Sequence, residues 1–199
     1  MAEADHPSTH RGPKAWRADH RRSGALARVA MLPALGLLGF SATACNSSTN
    51  PTQQANQLIN EGLKAQSNGH LDQAITDFKA AIVKNPANQY AYYDLGVIYE
   101  RLNDTTNAIN YYQKALLADP TYLPAMFNLA IVETPGDPTQ AINLYSQILK
   151  VKPNDPNTLF NLGLLLIAQG QAAQGHADLK QAIALDPALA SRVPKGITP

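Results

Sequence analysis

The sequence predicts an all-α protein in which four stacked helix-turn-helix hairpins fill about two-thirds of the chain. Three observations carry this prediction. Pro86, Pro120, Pro153 and Pro187 follow apolar helical runs at spacings of 34, 33 and 34 residues. Small and large residues recur at fixed distances before each proline. Between these marks, apolar residues fall at i, i+3, i+4 and i+7, the period of an amphipathic helix.

The elements follow in chain order. Residues 1–28 are basic and polar, with Arg11, Lys14, Arg17, Arg21, Arg22 and Arg28. An uncharged run, Val29 to Ala44, comes next: VAMLPALGLLGFSATA. A basic stretch, an apolar stretch and then small residues is the layout of a secretory leader. At 16 residues, broken by Pro33, Gly36 and Gly39, the run falls short of a spanning helix, which needs about 20. Residues 1–44 are therefore read as a leader and residues 45–54 as a flexible tether. Residues 55–189 form the repeat domain, with copies at about 55–88, 89–122, 123–155 and 156–189, and residues 190–199 form a tail.

Within the copies, Ala74, Ala108, Ala141 and Gly175 are the small residues before the prolines, with Phe78, Tyr112, Tyr145 and Leu179 as the large ones. Ala81, Ala115, Ile148 and Ala182 come next. An earlier set pairs Leu58, Tyr92, Met126 and Leu159 with Gly62, Gly96, Ala130 and Gly163, four residues on in each copy. Small residues at helix crossings permit close approach, and large ones fill the space between. Each proline ends its helix by disfavouring helical geometry in the residue before it. One hairpin cannot bury its apolar face; four stacked ones can.

This pattern resembles the tetratricopeptide repeat, whose period is 34. The second copy, QYAYYDLGVIYERLNDTTNAINYYQKALLADPTY, matches at Tyr92, Leu95, Gly96, Tyr99, Ala108, Tyr112, Ala115 and Pro120. The resemblance implies a right-handed superhelical solenoid whose first helices line a concave groove. On that alignment Ile59, Tyr93, Phe127 and Phe160 form one row. Asn60, Asp94, Asn128 and Asn161 form a second, and Leu63, Val97, Ile131 and Leu164 a third. Tyr90 lies one turn before Tyr93, and Arg101 is the one cation near the groove. Amides beside apolar pockets suit an extended peptide or a helix. The same side chains also suit packing between neighbouring first helices. The family's clamp for carboxylate termini needs several cations, so it is not expected here.

Two departures bear on packing. The third copy is one residue short, and its turn ETPGDPT should end the first helix near Glu133 and change the local packing. Pro194 should cut any terminal helix short, leaving the last hairpin's end exposed as a possible docking face.

The lone cysteine, Cys45, directly follows Ala42-Thr43-Ala44. The segment resembles a bacterial lipoprotein signal, and the resemblance implies cleavage before Cys45 and lipidation of its thiol. Ordinary cleavage after Ala44, or retention of the run as a short anchor, are the other readings. Arg21-Arg22 lacks the bulky apolar residues of a twin-arginine signal, since Gly24-Ala25 follow.

Charge and composition narrow the function. Residues 1–44 hold six Lys/Arg against three Asp/Glu, and residues 45–199 hold ten against twelve. An acidic body without a basic stripe argues against nucleic-acid binding. One cysteine excludes an internal disulfide framework. His70 and His176 lie near turns of different copies with no third ligand indicated, and no catalytic set or phosphate loop is visible. The expectation is a non-catalytic scaffold without a cofactor or small-molecule substrate. It would be exported and membrane-anchored, binding a protein partner in envelope assembly, secretion or pilus biogenesis. The alternative is a cytoplasmic scaffold or co-chaperone with a disordered basic arm.

Overall fold

A computed structural model describes residues 50–198, which form eight α-helices and a closing 3₁₀ turn. The helices are α1 (Pro51–Ser67), α2 (Leu71–Lys84), α3 (Gln89–Arg101) and α4 (Thr105–Ala118). They continue as α5 (Leu123–Glu133), α6 (Pro138–Val151), α7 (Pro156–Ala168) and α8 (Ala172–Leu185). The 3₁₀ turn spans Pro187–Arg192. Consecutive helices pair as antiparallel hairpins, and each hairpin stacks on the next. Cys45 and the leader lie outside the described residues.

Local chemistry sets the boundaries. The residues that end the second helices, Asn85, Asp119, Lys152 and Asp186, are all non-helical, with ψ of 91°, 99°, 79° and 96°. Each precedes one of the four repeat prolines, whose ring excludes helical geometry there. Most first helices are capped by a side chain that accepts from early backbone N–H groups. Asn88 caps α3 and Asp155 caps α7, while Asp104 and Asp137 cap the second helices α4 and α6. The turns inside hairpins pass through left-handed geometry at Gly69 (φ 81°), Asn103 (φ 58°) and Gly170 (φ 80°).

One boundary differs from expectation. Helix α1 begins at Pro51, inside the stretch read as tether. Asn50 accepts from the backbone N–H groups of Thr52 and Gln53, and Gln53 Oε1 accepts from the Asn50 N–H, completing a capping box. Pro51 at the first helical position supplies a preset φ. Together these extend the helix four residues upstream of Ala55.

The hairpins interlock through glycine. A Cβ on Gly96 would lie 2.5 Å from Cδ1 and Cε1 of Tyr112, and one on Gly62 would lie 2.7 Å from Phe78 Cε1. In the fourth hairpin Gly163 and Gly175 face each other, and a Cβ on either would strike the other's carbonyl oxygen. The third hairpin has Ala130 and Ala141 at these places, and α5 and α6 pack less closely than the other pairs. Helix α5 ends at Glu133, as its turn predicted, so it is also the shortest.

The far end is not bare. Leu189 is buried, and Val193 and Ile197 pack on the cluster of Leu159, Phe160, Leu179 and Ala182. The Arg192 guanidinium stands 4.9 Å from the centre of the Phe160 ring. The 3₁₀ turn and tail thus cover part of the surface expected to stay exposed, because a few apolar residues suffice where a full helix is missing.

Candidate functional site

The first helices α1, α3, α5 and α7 present the residues expected to line a groove, but at three different depths. Leu63, Val97, Ile131 and Leu164 are half-buried, one per helix, with apolar surface still facing solvent. Asn60 and Arg101 are exposed, while Tyr90 and Asn161 are half-buried. Ile59, Tyr93, Phe127 and Phe160 are buried. This last row corrects the expectation of an aromatic floor. Its side chains pack between helices, as in the edge-to-face contact of Phe127 with Tyr145 at 5.9 Å. The accessible apolar row is the third one.

Asp94 and Asn128 are buried as well. Asn128 Nδ2 donates to the hydroxyl oxygens of Tyr93 and Tyr112, each at 3.3 Å. Tyr112 in turn donates to Glu100 Oε2 at 2.7 Å. One amide therefore ties α5 to α3 and α4. Glu100 is thereby a partner of Tyr112.

A rule of spacing connects these contacts. Tyr112 and Asn128 are 16 residues apart, and so are Tyr145 and Asn161. The Asn161 side chain is hydrogen-bonded to the Tyr145 hydroxyl, and so is Thr134. In each case a tyrosine on the second helix of one copy meets an asparagine on the first helix of the next. At the first junction the same spacing pairs Phe78 with Asp94. Phenylalanine has no hydroxyl to give, and Asp94 Oδ2 is buried without a hydrogen-bond partner. Asn60 has no preceding copy, and it is exposed.

Electrostatics follow from this layout. Burial pushes the Asp94 carboxyl up to about 7, since ionisation in a dry site is costly. The Tyr122 hydroxyl is also buried without a partner. Its pKa is raised by burial first, and then by the neighbouring Tyr93 and Asp94. The Tyr122 ring meets Tyr93 at 5.4 Å and Tyr90 at 5.5 Å, both edge-on at 87°. Tyr112 is raised by burial and by the charge of Glu100. Sequence reasoning missed Tyr112, Tyr122, Tyr145 and Glu100 as members of this polar layer. The 16-residue Tyr–Asn offset was the signal that would have found two of its contacts, Tyr112–Asn128 and Tyr145–Asn161.

Among the described residues, no three His, Cys, Asp or Glu side chains gather in a way that would hold a metal ion. No described helix is long and apolar enough to cross a membrane. A shallow surface depression lies beside Phe127, Ile148 and Thr158, where the third and fourth hairpins meet. Ile148 stands there in place of the alanine of the other copies.

A family model described as tetratricopeptide repeat matches residues 59–122 and 136–190. Tetratricopeptide repeat protein 6 of Homo sapiens is 35% identical over 77 residues, which is 39% of this chain and 15% of that protein. The chain therefore spans only a small part of that relative. Among solved structures, MamA superposes with a TM-score of 0.63 at 23% identity, over 73% of this chain and 84% of its own. YrrB, described as a TPR protein with an unusual peptide-binding site, superposes with a TM-score of 0.64 at 21% identity. That match covers 76% of this chain and 79% of YrrB. At such identities the likeness is one of fold.

Proposed function

The chain belongs to the tetratricopeptide repeat family, and on that premise we propose that it is a non-catalytic scaffold of the cell envelope. It binds an extended peptide or a helix of a protein partner along its first helices. The observation that carries this is the row Leu63, Val97, Ile131 and Leu164, each partly exposed and one per hairpin. Regularly spaced apolar side chains beside the amides Asn60 and Asn161 provide pockets for alternate side chains and partners for backbone groups. The described peptide-binding site of YrrB supports a peptide ligand for a fold of this kind.

The membrane tether is Cys45, lipidated on its thiol and then freed by cleavage behind Ala44, with the basic and apolar order of residues 1–44 as its support. Multiple acyl chains there hold the domain durably, at about 0.8 kcal/mol per buried methylene. The partner is a component of envelope assembly, secretion or pilus biogenesis.

The test is photo-crosslinking in intact cells. A photoreactive residue at Val97 should capture a partner, and one at Thr106, exposed on a second helix, should not. Equal capture at both positions refutes the first-helix site. Incorporation of labelled fatty acid that persists in Cys45→Ala refutes the tether.

A further inference from the structure

Five large hydrophobic side chains are exposed among the described residues, and four of them form a row. Val83, Leu117, Val151 and Leu185 are 78, 86, 66 and 45% exposed. They are spaced by 34 residues each and stand at the last or next-to-last position of α2, α4, α6 and α8. Val83 and Leu117 stand three residues before their repeat prolines and Val151 and Leu185 two before theirs. Single exposed aliphatics need no explanation, but one at the same end of every second helix gathers four on one edge.

This edge is also where the chain enters the domain. The helices of each hairpin run antiparallel, so the start of α1 at Pro51 lies on the same side as the end of α2 at Lys84. Six residues, Cys45 to Asn50, separate Ala44 from α1. Fully extended they reach roughly 20 Å.

Charge divides the two edges in the same sense. Lys84, Lys150, Lys152 and Arg192 flank the apolar row. Against these four cations the same edge has three carboxylates, Asp119, Asp155 and Asp186. The opposite edge, made by the turns inside hairpins, has only Lys64 and Arg101 against Asp72, Glu100, Asp104, Glu133 and Asp137.

We infer that the edge carrying Val83, Leu117, Val151 and Leu185 lies on the surface of an anionic bilayer. Aliphatic tips enter the headgroup region while the lysines meet lipid phosphates, the combination that holds amphipathic surfaces at an interface. The short link from Cys45 turns this edge, and not the acidic one, toward the membrane. The first-helix row then lies across the membrane surface, open from the side. This inference rests on the tether proposed above.

The chain's one tryptophan, Trp16, permits a clean test. Two variants, each expressed with its leader so that the lipidated chain begins at Cys45 and Trp16 leaves with residues 1–44, place a single tryptophan on each edge: Val151→Trp and Gln169→Trp, both at exposed positions. Each is purified from host membranes and reconstituted with vesicles of brominated phosphatidylglycerol. Both proteins should co-sediment, with fluorescence lost at position 151 and retained at 169. Co-sedimentation with equal quenching at the two positions overturns the inference and leaves the tether standing. No co-sedimentation overturns both. A tryptophan at 151 that is shielded before vesicles are added, and stays unquenched by lipid, assigns the row to a second copy and also overturns it.

Discussion

Replacing Asp94 by asparagine should remove a pH dependence that the wild-type fold carries. The carboxyl is 4% exposed, and Oδ2 meets no donor. Its proton is held up to about 7 in the folded chain, against roughly 3.9 when unfolded. Between those values the folded state keeps a proton that the unfolded state has released. Stability is therefore fully present below about pH 4 and falls as pH rises through 7. Each pH unit costs about 1.4 kcal/mol, so three units cost on the order of 4 kcal/mol. Asp94→Asn keeps the shape of the neutral acid and cannot ionise. At pH 4 the two proteins should agree to within about 1 kcal/mol, and by pH 8 the variant should be the more stable by up to about 4 kcal/mol. Urea unfolding followed by circular dichroism, in steps from pH 4 to 8 at constant ionic strength, reads the difference. Glu133 and Asp178 are also raised by burial, but they are present in both chains and cancel. Parallel stability curves would show that Asp94 finds a compensating partner and would refute the reasoning.

Two further perturbations probe the same layer. Phe78→Tyr should supply the hydroxyl that the first junction lacks, adding about 1–2 kcal/mol at pH 8, where the bond is to a charged carboxylate. The gain should vanish in Phe78→Tyr/Asp94→Ala, and a gain that survives there would disconnect the two residues. Gly96→Ala should cost about 1–3 kcal/mol, because the Tyr112 ring it strikes is held by Asn128 and Glu100 and cannot turn away. Thermal unfolding should show a smaller loss, about 1 kcal/mol, for Gly69→Ala, where only the positive φ is strained and no atom lies nearby. An unchanged melting temperature for Gly96→Ala would mean that the α3–α4 contact is looser than drawn.

Much of the architecture was legible in the chain. Four prolines at a 34-residue period located the ends of the second helices, because the steric rule behind them is local. The turn after Glu133 was readable for the same reason. The start of α1 was equally local, since Asn50, Pro51 and Gln53 spell a capping box, yet the polar composition of residues 46–54 suggested a tether instead. The candidate site was harder to read. Aligned positions look equivalent in sequence, but Asn60 is exposed and Asn128 is fully buried. The difference comes from whether a preceding hairpin covers the helix, a property of order along the stack rather than of the residue. The same holds for Phe160, whose burial depends on a tail that follows it by some thirty residues.

The 16-residue tyrosine–asparagine offset has a consequence for how such a chain can grow. The third copy carries one half of a lock, Asn128, at its front and the complementary half, Tyr145, at its back, whereas the first copy has Phe78 at its back. A duplicated third copy would set Tyr145 of one unit against Asn128 of the next, repeating the pairing of a phenol with an amide. A duplicated first copy would set Phe78 against Asn60, and neither would gain anything. The copies share a shape but are not interchangeable parts. Lengthening by inserting the third copy adds cohesion at each new joint, whereas lengthening from the front multiplies the weakest joint.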